Sequence, residues 1–255
     1  MKITFFVSED SVNPRISYLC SRGTWLDPPF PLARWKRRVN FFMSVFVAAV
    51  LVLYLRTNPL SPGTIAAIPV LMLLLLPLHE FSHVLYYVLF GNGVDTVRFY
   101  PDIRSKIPVF SRLGGCVFPS LAAYSRTEVV LAHLFPLFLL TFLPLVLCFI
   151  FPAAQPALIW LAIVNPGTAC FDLCDAAAAI RMTPGAVKIG GSWFLPEDDA
   201  PYIIYRFRLA PDHRTVEYHA FRFEGKTIIA LDNEPMPPDG TALIEDFRVQ
   251  FGLES

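Results

Sequence analysis

Charge is scarce in this chain. Only 16% of its 255 residues are Asp, Glu, Lys or Arg, and 55% are hydrophobic. Soluble domains carry about 25% charged residues, so this composition excludes an ordinary soluble domain and implies an integral membrane protein. The 21 basic and 21 acidic residues cancel. No Lys/Arg stripe lies beside aromatic platforms, which removes nucleic acid from the expected partners. Cysteine is sparse and odd in number, at five. Cys20, Cys116, Cys148, Cys170 and Cys174 are scattered in or near apolar segments. They read as reduced core residues and not as a disulfide framework. The first 40 residues lack an apolar signal-peptide core, so the first apolar helix is expected to act as an uncleaved targeting signal. Repeats and low-complexity tracts are missing.

What the chain has in quantity is long apolar runs. A crossing needs about 20 apolar residues. Four segments qualify: Phe41 to Leu55 with its flanks, about 65 to 90, Val129 to Phe151, and about 157 to 180. The links between the first two and between the last two are short, so each pair is a helical hairpin. Basic residues set the orientation. Arg34, Lys36, Arg37 and Arg38 precede the first span, and Arg98, Arg104, Lys106, Arg112 and Arg126 follow the second. Arg181 and Lys188 follow the fourth, whereas the short links hold only Arg56. The positive-inside rule places both termini and the 91–127 loop on the cytoplasmic face of the inner cell membrane. The Ala-Arg-Trp-Lys-Arg-Arg cluster at 33–38 also suits anionic lipid head groups.

The expected fold is mainly α: a four-transmembrane-helix bundle over residues 39–196, with a cytoplasmic N-terminal segment, 1–38. Residues 197–255 read as a small, mostly β cytoplasmic appendage. Here Tyr202 to Ala210 alternates aromatic and basic residues, and Thr215 to Phe223, Glu224-Gly225-Lys226 and Thr227 to Asp232 read as a hairpin with a short turn.

One apolar span carries an anomaly. His79-Glu80-Phe81-Ser82-His83 lies in the middle of the second run. Each charge at mid-bilayer costs about 2.5–3.5 kcal/mol on insertion scales. A lone histidine would be read as a satisfied core group, but here three ionisable groups fall within five positions. On a helix, positions i and i+4 share a face, so both imidazoles reach one ion, with Zn–N bonds of about 2.0–2.1 Å. Glu80, beside His79, is placed as general base on a metal-activated water.

A catalytic zinc wants a third protein ligand. The other carboxylates well inside apolar segments are Asp172 and Asp175. Counted from the cytoplasmic end of their spans, His83 and His79 lie about 10 and 16 Å deep, Asp172 about 12–13 Å and Asp175 about 8 Å. Depth selects Asp172 as the third metal ligand, with Asp175 as its supporting group or alternate. Asn165-Pro166-Gly167 breaks helical hydrogen bonding upstream. This is either a place where the Asn165 amide binds a substrate carbonyl or a plain proline kink. Pro77 either starts a fresh helical turn or bends its span. His133 is either an interfacial residue or a supporting group for the metal.

The span-embedded HExxH at 79–83 and the late apolar span with Asn-Pro and a buried aspartate resemble a bacterial family of small four-span zincin membrane peptidases. More broadly they are similar to the site-2 proteases, intramembrane zinc metalloproteases. The likeness covers roughly residues 35 to 195. Site-2 proteases usually have an Asp-Gly pair where Asp172 is followed here by Leu173. The resemblance implies one zinc per chain, His79, His83 and Asp172 as ligands, and Glu80 as base.

The expected activity is zinc-dependent endopeptidase cleavage of membrane-embedded or membrane-proximal protein segments, with a membrane protein or peptide as substrate and the lipid bilayer as medium. Two other classes remain open: a non-catalytic scaffold or partner-binding protein with a structural or vestigial metal site, and a channel or transporter. A closed structural site has no use for Glu80, and a channel would spread polar groups along a route instead of at one depth.

Overall fold

A computed structural model describes residues 1–5, 16–20, 22–58, 62–101, 113–209, 216–232, 234–237, 239–242 and 244–245. Arg104, Lys106 and Arg112 of the basic loop lie outside them, as do the side chains of Arg98, Cys20 and Cys116.

Three short strands open the chain: β1 (Lys2–Phe5), β2 (Ile16–Cys20) and β3 (Gly23–Leu26). Helix α1 (Leu32–Thr57) begins after Pro31 and ends at Asn58, whose N–H and side-chain amide both reach the Tyr54 carbonyl. It has no buried residue. Phe41, Phe42, Phe46 and Leu53 all stand exposed on it. So large an exposed apolar surface, following the basic first turns of the helix, is compatible with a membrane-associated helix. Helix α2 (Pro62–Phe90) runs through Pro77 without interruption for 29 residues, about 43 Å at 1.5 Å per residue.

Strands β4 (Val94–Pro101), β5 (Leu113–Pro119) and β6 (Tyr124–Ser125) follow. Helix α3 (Arg126–Leu137) starts with a capping box in which Ser125 and Glu128 satisfy each other's backbone N–H groups. The helix widens into a π-segment, Phe138–Phe142, and continues as α4 (Leu143–Ile150). Pro136 and Pro144 bracket the widened part, and neither has an N–H to donate. After a 3₁₀ turn at Pro152–Ala154 come α5 (Gln155–Thr168) and α6 (Cys170–Arg181), which meet at a 54° bend. Asn165, Pro166 and Gly167 lie inside the last turn of α5, and the break between the two helices falls just beyond them at Ala169. Strands β7 (Val187–Ile189), β8 (Ser192–Pro196), β9 (Tyr202–Leu209), β10 (Val216–Glu224) and β11 (Thr227–Leu231) complete the described chain.

Among the described residues, α1 and the continuous 126–150 helix are each long and apolar enough to cross a membrane; the bent α5–α6 pair makes a third if it is one span. α1 packs on α5 and α6, α2 on α3 and α5, and α3 on α6.

The strands form three small sheets, ordered β1-β4-β5, β11-β10-β9-β2 and β3-β8-β7-β6. β1 is parallel to β4; the other pairs are antiparallel. The expected hairpin is β10–β11, closed by Gly225 and Lys226, with Gly225 at φ +58° where a side chain would be strained. β2 and β3 come from the N-terminal segment yet pair with β9 and β8, so the two ends of the chain share sheets. Tyr124, Val129, Ala179, Met182 and Trp193 form one core where α3, α6 and β8 meet, and Ile228 of β11 packs against it. Lys226 adds an ion pair to Glu128 on α3.

Candidate metal centre

Helical spacing puts His79 and His83 on one face of α2, with ring centroids 5.2 Å apart and nearly perpendicular. Asp172 enters from α6, in whose first turn the helix dipole favours a carboxylate. His79 Nε2 lies 2.8 Å from Asp172 Oδ2, and His83 Nε2 lies 3.4 Å from Asp172 Oδ1. These three residues are buried and each presents one ligand atom, all within 4.8 Å of one another. Neighbouring ligand atoms around a tetrahedral zinc stand roughly 3.3 Å apart, given metal–ligand bonds of about 2.0–2.1 Å.

Residues 72–187 match the family model described as "Putative zincin peptidase". No curated protein and no solved structure matches the chain.

The matched stretch holds all the residues just named. It supports a zincin-like metallopeptidase with zinc as the metal. The donor set fits that ion independently, since two imidazoles and one carboxylate are ligands zinc accepts readily. The state of His83 fits too. Its Nδ1 lies 3.0 Å from the Ala132 carbonyl. A carbonyl only accepts, so Nδ1 carries a proton, and Nε2 is the ring nitrogen that faces the cluster and could bind a metal. His79 Nδ1 is buried with no hydrogen-bond partner among the described residues.

Glu80 is 7% exposed and next to His79. It lies within electrostatic reach of His83, His79 and Asp172. A buried carboxylate on an apolar helix, beside a group that could hold a metal, provides a proton acceptor in a place of low dielectric.

The other expected site residues fall differently. Asp175 receives a hydrogen bond from Lys36 Nζ at 2.7 Å and stands outside the cluster. Asn165 is fully buried. Its Nδ2 donates to the Pro136 carbonyl at 3.2 Å and to Thr141 Oγ1 at 3.0 Å, while its Oδ1 accepts from Thr168 Oγ1 at 3.0 Å. That carboxamide ties the π-segment of the third apolar run to the break in the fourth. His133, given two readings from sequence, donates from Nδ1 to Asp172 Oδ1 at 2.9 Å. Its ring centroid is 5.9 Å from that of His83. The Ala132 carbonyl was not legible in sequence at all, because a backbone acceptor has no residue signature.

Proposed function

We propose that this protein is a zinc-dependent intramembrane endopeptidase, similar in chemistry to the site-2 proteases. The observation that carries the reading is the convergence of His79, His83 and Asp172 beside the buried Glu80. His79 Nε2, His83 Nε2 and a carboxylate oxygen of Asp172 would hold one zinc ion. Zinc bound there supplies Lewis-acid activation of a water and of the scissile carbonyl. Glu80 accepts a proton from the attacking water and delivers it to the leaving amine.

Residues 39–196 would form a four-span membrane domain, with α2 and the bent α5–α6 pair each crossing once and both termini cytoplasmic. A metal centre about one-third of the way in from the cytoplasmic face admits water while keeping contact with a substrate segment in the bilayer. The substrate is a membrane-embedded or membrane-proximal protein segment. Its own helical hydrogen bonds must open locally before the peptide carbonyl can be reached.

The scaffold alternative differs in its need for Glu80. Purified protein carrying Glu80→Gln is expected to keep its zinc and lose cleavage of a membrane-peptide substrate. Metal analysis of the parent beside His79→Ala and Asp172→Ala completes the test. Zinc retained undiminished in both variants would reject the site.

A further inference from the structure

Two of the three ligand residues are held by consecutive positions of α3. His83 donates to the carbonyl of Ala132, and Asp172 accepts from the imidazole of His133. The Ala132 carbonyl should already be occupied. In an α-helix it accepts the N–H four residues on, which here belongs to position 136. That residue is Pro136, which has no N–H, sits inside the helix and is buried. The geometry points to Pro136 and His133 as positioning residues of the metal centre: Pro136 leaves the Ala132 carbonyl free to fix the His83 tautomer, and His133 fixes the rotation of the Asp172 carboxylate.

The arrangement has a consistent chemical logic. Protonation of His83 Nδ1 against a carbonyl leaves Nε2 as the electron-pair donor. His133 binds Asp172 Oδ1, so Oδ2, the oxygen nearest His79, is left for the metal. Outer hydrogen bonds of this kind set ligand orientation and basicity, and losing one costs about 10–100-fold in metal affinity or activity. α3 is itself anchored at its start, where Tyr86 Oη donates to the Glu128 carbonyl at 3.2 Å and Lys226 pairs with the Glu128 carboxylate. A proline in the middle of an apolar helix normally reads as a kink. Here it converts one backbone carbonyl from a helix bond into a site acceptor.

The inference rests on the metal-centre reading, and the test separates the two. Zinc affinity of the full chain in detergent is measured by competition with a chromophoric chelator, and thermal melting of the metal-free protein is followed alongside. Pro136→Ala restores an N–H that competes for Ala132. It is expected to weaken zinc binding about 10–100-fold, while the metal-free protein melts at the parental temperature or above it. A purely structural proline would move both readouts together. His133→Ala is expected to lose affinity on the same scale. His133→Asn, whose amide nitrogen sits where Nδ1 does, should recover most of it, and His133→Gln should not. Parental affinity in Pro136→Ala, or equal losses in His133→Asn and His133→Ala, overturns the assignment with the metal site intact. A parent that binds no zinc overturns it together with the metal-centre reading.

Discussion

Lys36 Nζ on α1 reaches Asp175 Oδ2 on α6 across 2.7 Å, so the carboxylate one turn beyond Asp172 is bound to the first helix and not to the metal centre. The two acids on α6 therefore have separate duties. Asp172→Ala is expected to abolish stoichiometric zinc binding. Asp175→Ala should keep the metal and weaken only the α1–α6 contact, at a cost on the order of 1 kcal/mol for a partly exposed pair. Metal content and thermal melting of both variants decide the matter; loss of zinc from Asp175→Ala alone would reverse the roles.

Glu80→Gln keeps shape and burial but removes the proton acceptor. Zinc content should match the parent, while turnover falls about 10²–10⁴-fold, the usual worth of a general base. Turnover within a few-fold of the parent would strip Glu80 of that role.

Asn165→Ala removes three buried side-chain hydrogen bonds. Interhelical bonds in membranes average about 0.6 kcal/mol each, so the loss of the two bonds that leave α5 is expected to cost about 1 kcal/mol, seen as a lower melting temperature in detergent. If the variant instead melted like the parent and lost only substrate affinity, Asn165 would be a substrate contact, the role its place beside Pro166 first suggested.

The proposed topology puts the Pro152–Ala154 turn opposite the β-rich face. In intact cells, Ala153→Cys should react with a membrane-impermeant thiol reagent, and Asp198→Cys, at an exposed loop position, should react only after lysis. The reverse pattern would invert the orientation.

Much of the candidate metal centre was readable before any coordinates, for a local reason. His79, Glu80 and His83 are brought together by helical period alone, and an apolar run of that length forms a helix wherever it sits. Depth counting from the span ends pointed to Asp172, and the structure brings Asp172 together with the two histidines. The Asn-Pro-Gly stretch announced an irregularity in the fourth run, but not that the 54° bend would fall just beyond it, at Ala169.

Other features depended on packing between distant segments. Whether His133 faced the interface or the metal followed from how α3 rests on α6, and so did its contact with Asp172, 39 positions away. The inward turn of Asn165 followed from the π-segment opposite it. The pairing of β2 with β9 and β3 with β8 joins segments at the two ends of the chain, and alternation in a strand names its faces but not its neighbour. By itself the sequence determined the apolar helices, the histidine pair on one helix face and the acid beside it, since each is a property of short-range geometry and hydration. Only the tertiary structure decided which carbonyl meets His83 and which imidazole meets Asp172, because hydrogen bonds between helices depend on how the helices dock.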